Sequence, residues 1–202
     1  MKLYYSPGAC SLSVHITLHE SGLSFDTIAA PTKTHKLADG TDYYSINPLG
    51  YVPLLELEDG TRLTEGPAIV QYIADQMPLK NLAPANGTVA RAQLQSWLNF
   101  ISTELHKGFS PLFNAATPVD YKIIVVDRLM SRLKWVDAQL EGKDYLMGET
   151  FSVADPYLFT VTNWAAVVKV DISAFANITA FRSRMSGRPA VQAAMKAEGL
   201  IK

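Results

Sequence analysis

Near the start of the chain a short β-prone run, Leu3-Tyr4-Tyr5, meets Pro7-Gly8, a strong turn signal. Beyond the turn Leu12, Val14, Ile16 and Leu18 alternate with Ser13, His15 and Thr17, which is strand periodicity. Gly22 fits a helix C-cap instead, and a strand directly after Pro7-Gly8 would make residues 2–18 a hairpin. The local pattern leaves helix and strand both open over residues 11–22. Residues 25–30 predict a second strand. Residues 31–50 form a long irregular stretch with Asp39-Gly40 and Asn47-Pro48-Leu49-Gly50, and with room for a short helix around residues 36–44. Residues 52–58 predict a third strand, Asp59-Gly60 a type I′ hairpin turn, and residues 61–64 the returning fourth strand. Glu65-Gly66-Pro67 then opens a helix with Pro67 at its first position. Ile69, Val70, Ile73 and Met77 mark its buried side, and Pro78 ends it. With residues 11–22 taken as helix, the order through residue 78 is that of a small α/β domain: a parallel crossover, a hairpin and a last helix.

Residues 79–87, with Pro84 and Asn86-Gly87, suit a linker. Residues 88–202 read as all-helical. Leu94, Leu98, Ile101, Leu105 and Leu112 form one stripe over residues 88–115. Pro118 opens a helix over residues 119–140, with Ile123, Val126, Met130, Leu133 and Val136 in helical spacing. Ser152 and Asp155 give a capping box, in which the serine accepts from the Asp155 N–H and the carboxylate reaches back to the Ser152 N–H. Leu158, Val161, Ala165 and Val168 follow that cap in helical spacing. Helices around residues 174–185 and from Pro189 onward complete the chain.

The chain has 202 residues, 48% of them hydrophobic and 18% charged, enough for a sizeable core and against disorder. A formal net charge of −1 without a basic patch argues against nucleic acid or an anionic membrane as partner. No run reaches the ~18 apolar residues of a membrane span. The nine residues before Cys10 are too few for the roughly 7–15-residue apolar core of a signal peptide with its flanks. A soluble, cytoplasmic protein is expected, and the single cysteine is consistent with a reducing compartment.

That cysteine, Cys10, sits just past the Pro7-Gly8 turn. If a helix starts there, its first-turn N–H groups and its dipole favour the thiolate. A lone cysteine is otherwise often a small buried hydrophobe. Asn99, Thr103 and His106, spaced i, i+4, i+7, share a narrow arc beside the stripe of Leu98, Ile101 and Leu105, with Lys107 adjacent. Such an arc can line a cleft or be a solvated face. His15 and His19 have i, i+4 spacing but no third ligand nearby, so no metal site is expected. Phosphate-binding glycine motifs and Gly-x-Ser-x-Gly are absent. Val52-Pro53 removes a ladder donor at the start of a would-be strand. A cis bond there would leave the Val52 N–H and C=O free for a ligand, whereas a trans proline would mark an edge strand.

Taken together, Tyr5-x-Pro7-Gly8-Ala9-Cys10-Ser11, Asn47-Pro48-x-Gly50-x-Val52-Pro53, Leu63-Thr64-Glu65-Gly66, the segment from Trp97-Leu98-Asn99 to Gly108-Phe109 and the 151–155 capping box resemble a glutathione transferase of the bacterial beta class. The resemblance spans essentially the whole chain. It implies a thioredoxin-like N-terminal domain with a mixed four-stranded sheet, an all-α C-terminal domain and a homodimer. It also implies a helix at residues 11–22 and a cis Pro53. Glutathione is implied as co-substrate, with no other cofactor and no metal, and a hydrophobic electrophile as its acceptor.

By the same match Cys10 and His106 are the implied catalytic residues, and Val52 pairs with the cysteinyl part of glutathione. Glu65 and Gly66 hold its γ-glutamyl end. Tyr5, Pro53, Asn99, Thr103, Glu104 and Lys107 complete the implied glutathione contacts, Glu104 toward a neighbouring subunit's ligand. Where relatives commonly place a lysine for the glycyl carboxylate, this chain has His35 followed by Lys36. The hydrophobic subsite is expected to draw on Tyr5, residues 109–113 and Trp164. Two other readings stand beside conjugation. Cys10-Ser11-Leu12-Ser13 has the Cys-x-x-Ser form of a one-thiol redox motif, suited to thiol–disulfide exchange, reductive dehalogenation or peroxidase side activity. A non-catalytic ligand-binding or regulatory protein on the same fold is the second.

Overall fold

The computed structural model describes residues 1–202, and the chain divides into two units: Met1–Ala83 with Gly187–Lys202, and Pro84–Ser186. The first unit holds a mixed sheet in the order β2-β1-β3-β4. Strand β1 (Lys2–Tyr5) pairs parallel with β2 (Asp26–Ala29) and antiparallel with β3 (Leu54–Glu56), which pairs antiparallel with β4 (Arg62–Thr64). This is the expected crossover and hairpin. The hairpin turn differs from type I′: of Asp59 and Gly60 only Gly60 has positive φ, and its N–H bonds the Leu57 carbonyl. Leu57 N–H in turn bonds the Thr61 carbonyl. That is a type I turn closed by a glycine bulge. Residues 36–44 yield only a single 3-10 turn, Tyr43–Ser45.

Residues 11–22 resolve to helix α1 (Ser11–Ser21), capped by Gly22 at φ 73°. The strand-like alternation misleads because α1 is buried on every side from Ser11 to Leu18. No polar face is needed, so no helical period is written. Its small polar residues are satisfied by their own backbone: Ser13 Oγ donates to Cys10 O, Thr17 Oγ1 to Ser13 O and Ser21 Oγ to Leu18 O. Helix α2 (Gly66–Gln76) packs on α1 with Ile69, Val70, Ile73 and Ala74 buried.

The second unit holds α3 (Val89–Phe100), a π-helical segment (Ile101–His106), α4 (Lys107–Phe113), α5 (Val119–Gln139), α6 (Ala154–Val167) and α7 (Ala176–Ser186). In the π segment the ladder slips by one, and Lys107 N–H reaches Ser102 O five residues back. The buried apolar stripe runs Leu94, Leu98, Ile101, Leu105 and Phe109, not Leu112. On α5 the buried positions are Val125, Leu129, Leu133 and Val136, whereas Ile123 is exposed. Both stripes have helical spacing, and packing against α4, α7 and the π segment selects between them.

Helix α8 (Pro189–Ala197) corrects the expected boundary, since it does not join the helical unit but packs on α1 in the first one. An apolar helix face records that it is buried, not against what.

Candidate functional site

Cys10 is the N-cap residue of α1 and is partly exposed. Its thiol donates to the Val52 carbonyl at 3.1 Å. The turn before it is closed by Ala9 N–H to Ser6 O, and Ser11 Oγ both accepts from Ser6 N–H and donates to Ser6 O. Two first-turn donors are already committed, Leu12 N–H to Ala9 O and Ser13 N–H to Cys10 O. The expectation that the whole first turn aims its donors at the sulfur is corrected accordingly, because a tight start to the helix uses them within the backbone.

Behind this turn lies a group that sequence reasoning missed. The Glu198 carboxylate, at the end of α8, accepts from Gly8 N–H at 2.9 Å and meets His15 Nδ1 at 2.9 Å. Both side chains are almost fully buried. His15 stacks on His19, and Phe25 meets both rings edge-on. The i, i+4 histidines thus serve packing. Burial and the neighbouring His15 lower the His19 pKa. Tyr5 lies beside His15, and burial, with Glu198 adding, raises its phenol pKa.

The Val52–Pro53 bond is cis, as the resemblance implied. The loop before it is built by buried Asn47, which donates to Tyr51 O and accepts from Leu49 N–H, and by Tyr43, whose hydroxyl donates to the same Tyr51 carbonyl. The Val52 carbonyl is not free, because the Cys10 thiol occupies one of its two lone pairs. Glu65, exposed at the N-cap of α2, is held at φ 65°, a costly conformation for a residue with a Cβ. Gly66 follows it beside Pro53 and Ser13: a Cβ built there would lie 3.8 Å from Pro53 Cγ and 3.9 Å from Ser13 Oγ. The first unit thereby gathers Cys10, Val52, Pro53 and Gly66, with Glu65 at their edge. His35 sits at φ 50° with its ring tilted on Tyr44 at 4.5 Å and a buried Nδ1 without a partner. Lys36 is exposed beside it.

In the second unit, Asn99 and Thr103 are exposed on α3 and the π segment. The Thr103 hydroxyl donates to Asn99 O, which leaves its lone pairs to accept. Glu104 accepts from Arg132 at 2.6 Å and from Arg128 at 3.1 Å, and these bonds lower its carboxyl pKa. Lys107 is exposed next to His106. His106 closes the π segment with Nδ1 2.7 Å from the Tyr157 hydroxyl. Its ring meets Trp164 edge-on at 4.8 Å, and Phe109 and Phe113 pack on the same indole. Burial, with Lys107 adding, pushes the His106 pKa down to about 4. A ring this hard to charge is a hydrogen-bonding group at neutral pH and a poor proton acceptor. Of the residues expected to supply the hydrophobic subsite, Trp164, Phe109 and Phe113 are packed together here. Behind it Asp155, fully buried, accepts from Leu146 N–H, Ser152 N–H and Ser152 Oγ. The cap differs from the expected box, since Asp155 N–H goes to the Ser152 carbonyl and the serine hydroxyl donates instead.

Family models for the glutathione S-transferase N-terminal and C-terminal domains match residues 8–76 and 100–189. The chain belongs to the glutathione S-transferase family. It is 48% identical to the glutathione S-transferase GstA of Escherichia coli O157:H7, over 99% of this chain and 100% of that one. Among solved structures, a ternary complex of BphK, a bacterial glutathione transferase, is similar at TM-score 0.97 and 57% identity, over 98% of this chain and 100% of that one. A bacterial beta-class transferase of Sphingomonas chungbukensis is similar at TM-score 0.96 and 45% identity over the whole of both chains. The beta-class resemblance read from the motifs is thereby supported over the whole transferase chain. Glu198, Tyr157, Arg128 and Arg132 carry no motif signal, since each acts through a partner far away in sequence.

Proposed function

We propose that this transferase activates the thiol of reduced glutathione and joins it to small hydrophobic electrophiles. The observation that carries the reading is the Cys10 thiol at the start of α1, bonded to the carbonyl before cis Pro53, with Gly66 opening α2 beside them. An extended peptide takes backbone bonds from Val52, whose carbonyl keeps a second lone pair for a ligand amide. The γ-glutamyl carboxylate is assigned to the Gly66 N–H at the start of α2, with Glu65 for the ammonium. Asn99, Thr103 and Lys107 are assigned to the glutathione side, as is Tyr5. Glu104, held by Arg128 and Arg132, is assigned to a neighbouring subunit's ligand. His35 or Lys36 serves the glycyl end.

In the reaction the glutathione S–H gives up its proton to solvent. The sulfur then bonds the electrophilic carbon as the leaving group departs with its electron pair. His106 stabilises the thiolate as a donor, Cys10 does so once its S–H turns from the Val52 carbonyl to the ligand sulfur, and neither attacks. Trp164, Phe109 and Phe113 offer an apolar surface for the electrophile. The same thiol supports glutathione-dependent thiol transfer or peroxidase chemistry as a side activity. A homodimer is supported by the apolar residues that α5 leaves exposed, among them Tyr121, Ile124 and Trp135. A cytoplasmic setting fits the lone cysteine.

The test is a panel of electrophiles and mixed disulfides assayed with glutathione on wild type and Cys10→Ala. Conjugation is expected to persist in Cys10→Ala, while thiol transfer through Cys10 is lost. A folded wild type that neither binds immobilised glutathione nor conjugates any electrophile would sink the reading.

A further inference from the structure

The ring of His106 has two distinguishable nitrogens, and only one of them faces Tyr157. Nδ1 lies 2.7 Å from the Tyr157 hydroxyl, a side chain on α6 that is 3% exposed. Trp164, seven residues further along α6, meets the same ring edge-on, so one face of α6 fixes the imidazole at two points. A neutral imidazole carries a single N–H, and the bond made by one nitrogen decides which of them holds it. A phenol O–H is a stronger donor than a neutral imidazole N–H, and an imidazole nitrogen a stronger acceptor than a phenol oxygen, so this short contact favours the arrangement in which the phenol donates and Nδ1 accepts. The single ring proton is then left on Nε2.

We propose that Tyr157 is a positioning residue that locks His106 as the neutral Nε2–H tautomer, making Nε2 a hydrogen-bond donor. The consequence is chemical. With Nδ1 already accepting a proton and Nε2 already carrying one, the ring offers no free lone pair to a thiol. His106 can stabilise an anionic sulfur by donating to it but cannot take the proton from it as general base. Were Tyr157 absent, Nδ1–H and Nε2–H forms would compete and part of the population would present an acceptor to the anion. The proposal rests on the reading above only for the identity of that anion, because the tautomer is a property of the ligand-free chain.

The test is nuclear magnetic resonance of the full-length, 15N-histidine-labelled protein near pH 7. Two- and three-bond 1H–15N correlations distinguish the tautomers, and the His106 signals are assigned by their loss in His106→Gln. Wild type is expected to show a pure Nε2–H pattern, and Tyr157→Phe a shift of the His106 signals toward the averaged pattern of a mixture. Conjugation by Tyr157→Phe should fall roughly 3–10-fold in kcat/KM, the worth of one hydrogen bond. A wild-type Nδ1–H pattern overturns the proposal even if the variant does not fold, and so does a folded Tyr157→Phe with an unchanged pattern. A wild type that shows the Nε2–H pattern and does not conjugate glutathione would defeat the functional reading alone.

Discussion

Replacing Glu198 by alanine removes one side chain from the far end of the chain and strands two donors at its beginning. The carboxylate accepts from Gly8 N–H at 2.9 Å and meets His15 Nδ1 at 2.9 Å, and the His15 and Glu198 side chains are 1% and 0% exposed. At the His15 end water cannot replace the lost acceptor without opening the packing of α1 against α8. Leaving the buried His15 donor unsatisfied costs about 1–3 kcal/mol, and the half-buried Gly8 N–H adds less, so we expect about 3 kcal/mol. For a domain pair of this size that corresponds to a fall of roughly 10 °C in Tm. Urea titration followed by far-UV circular dichroism measures the change, and His15→Asn with the double variant completes a thermodynamic cycle. A coupling of about 1.5 kcal/mol or more between positions 15 and 198 is expected. Because Gly8 shapes the turn that carries Cys10, the variant's thiol should also alkylate at an altered rate. A loss below about 1 kcal/mol in Glu198→Ala, with no coupling to His15, would refute the claim that this contact holds the first turn.

Two further outcomes are expected. Asp155→Ala removes an acceptor for three donors at the start of α6, all of them buried, and should cost about 3 kcal/mol or more; a denaturation midpoint equal to that of wild type would contradict it. His106 titrates at about 4 when folded and near 6.5 when unfolded, so between those values the unfolded chain holds the extra proton. Stability should therefore fall as pH drops from 6.5 to 4, by about 3 kcal/mol from this group alone. His19, lowered in the same direction, adds to the trend. Subtracting the pH profile of His106→Gln isolates the contribution, and identical slopes in the two proteins would show that the ring is not desolvated.

The strands and helix α2 of the first unit were legible because turn and cap residues act within a few positions. Pro7-Gly8, Asp59-Gly60, Gly66-Pro67 and Pro78 each fix where the backbone can turn or a helix can begin and end. The type of turn at Asp59-Gly60 was not legible, since a two-residue signal does not say whether one φ or both become positive. Helix α1 was illegible for a different reason. Periodicity reports a boundary between core and solvent, and a helix buried all round has none. Residues 101–106 gave no hint of π geometry, because nothing in Ile101-Ser102-Thr103-Glu104-Leu105-His106 disfavours an ordinary helix. Phe109, four residues after Leu105, is buried where Leu112 was expected, and the ring of His106 lies against Tyr157 and Trp164.

By itself, then, the sequence determined what short-range chemistry can determine. It set most of the elements and their caps, the lone thiol just past a turn, and a motif set specific enough to mark the family. Tertiary structure decided what each buried surface meets. It put α8 on α1, chose between two stripes of α5, and brought Glu198 to Gly8 and His15 and Tyr157 to His106. Those contacts join positions up to 190 residues apart. They depend on which faces pack together, and no local preference of the backbone encodes that.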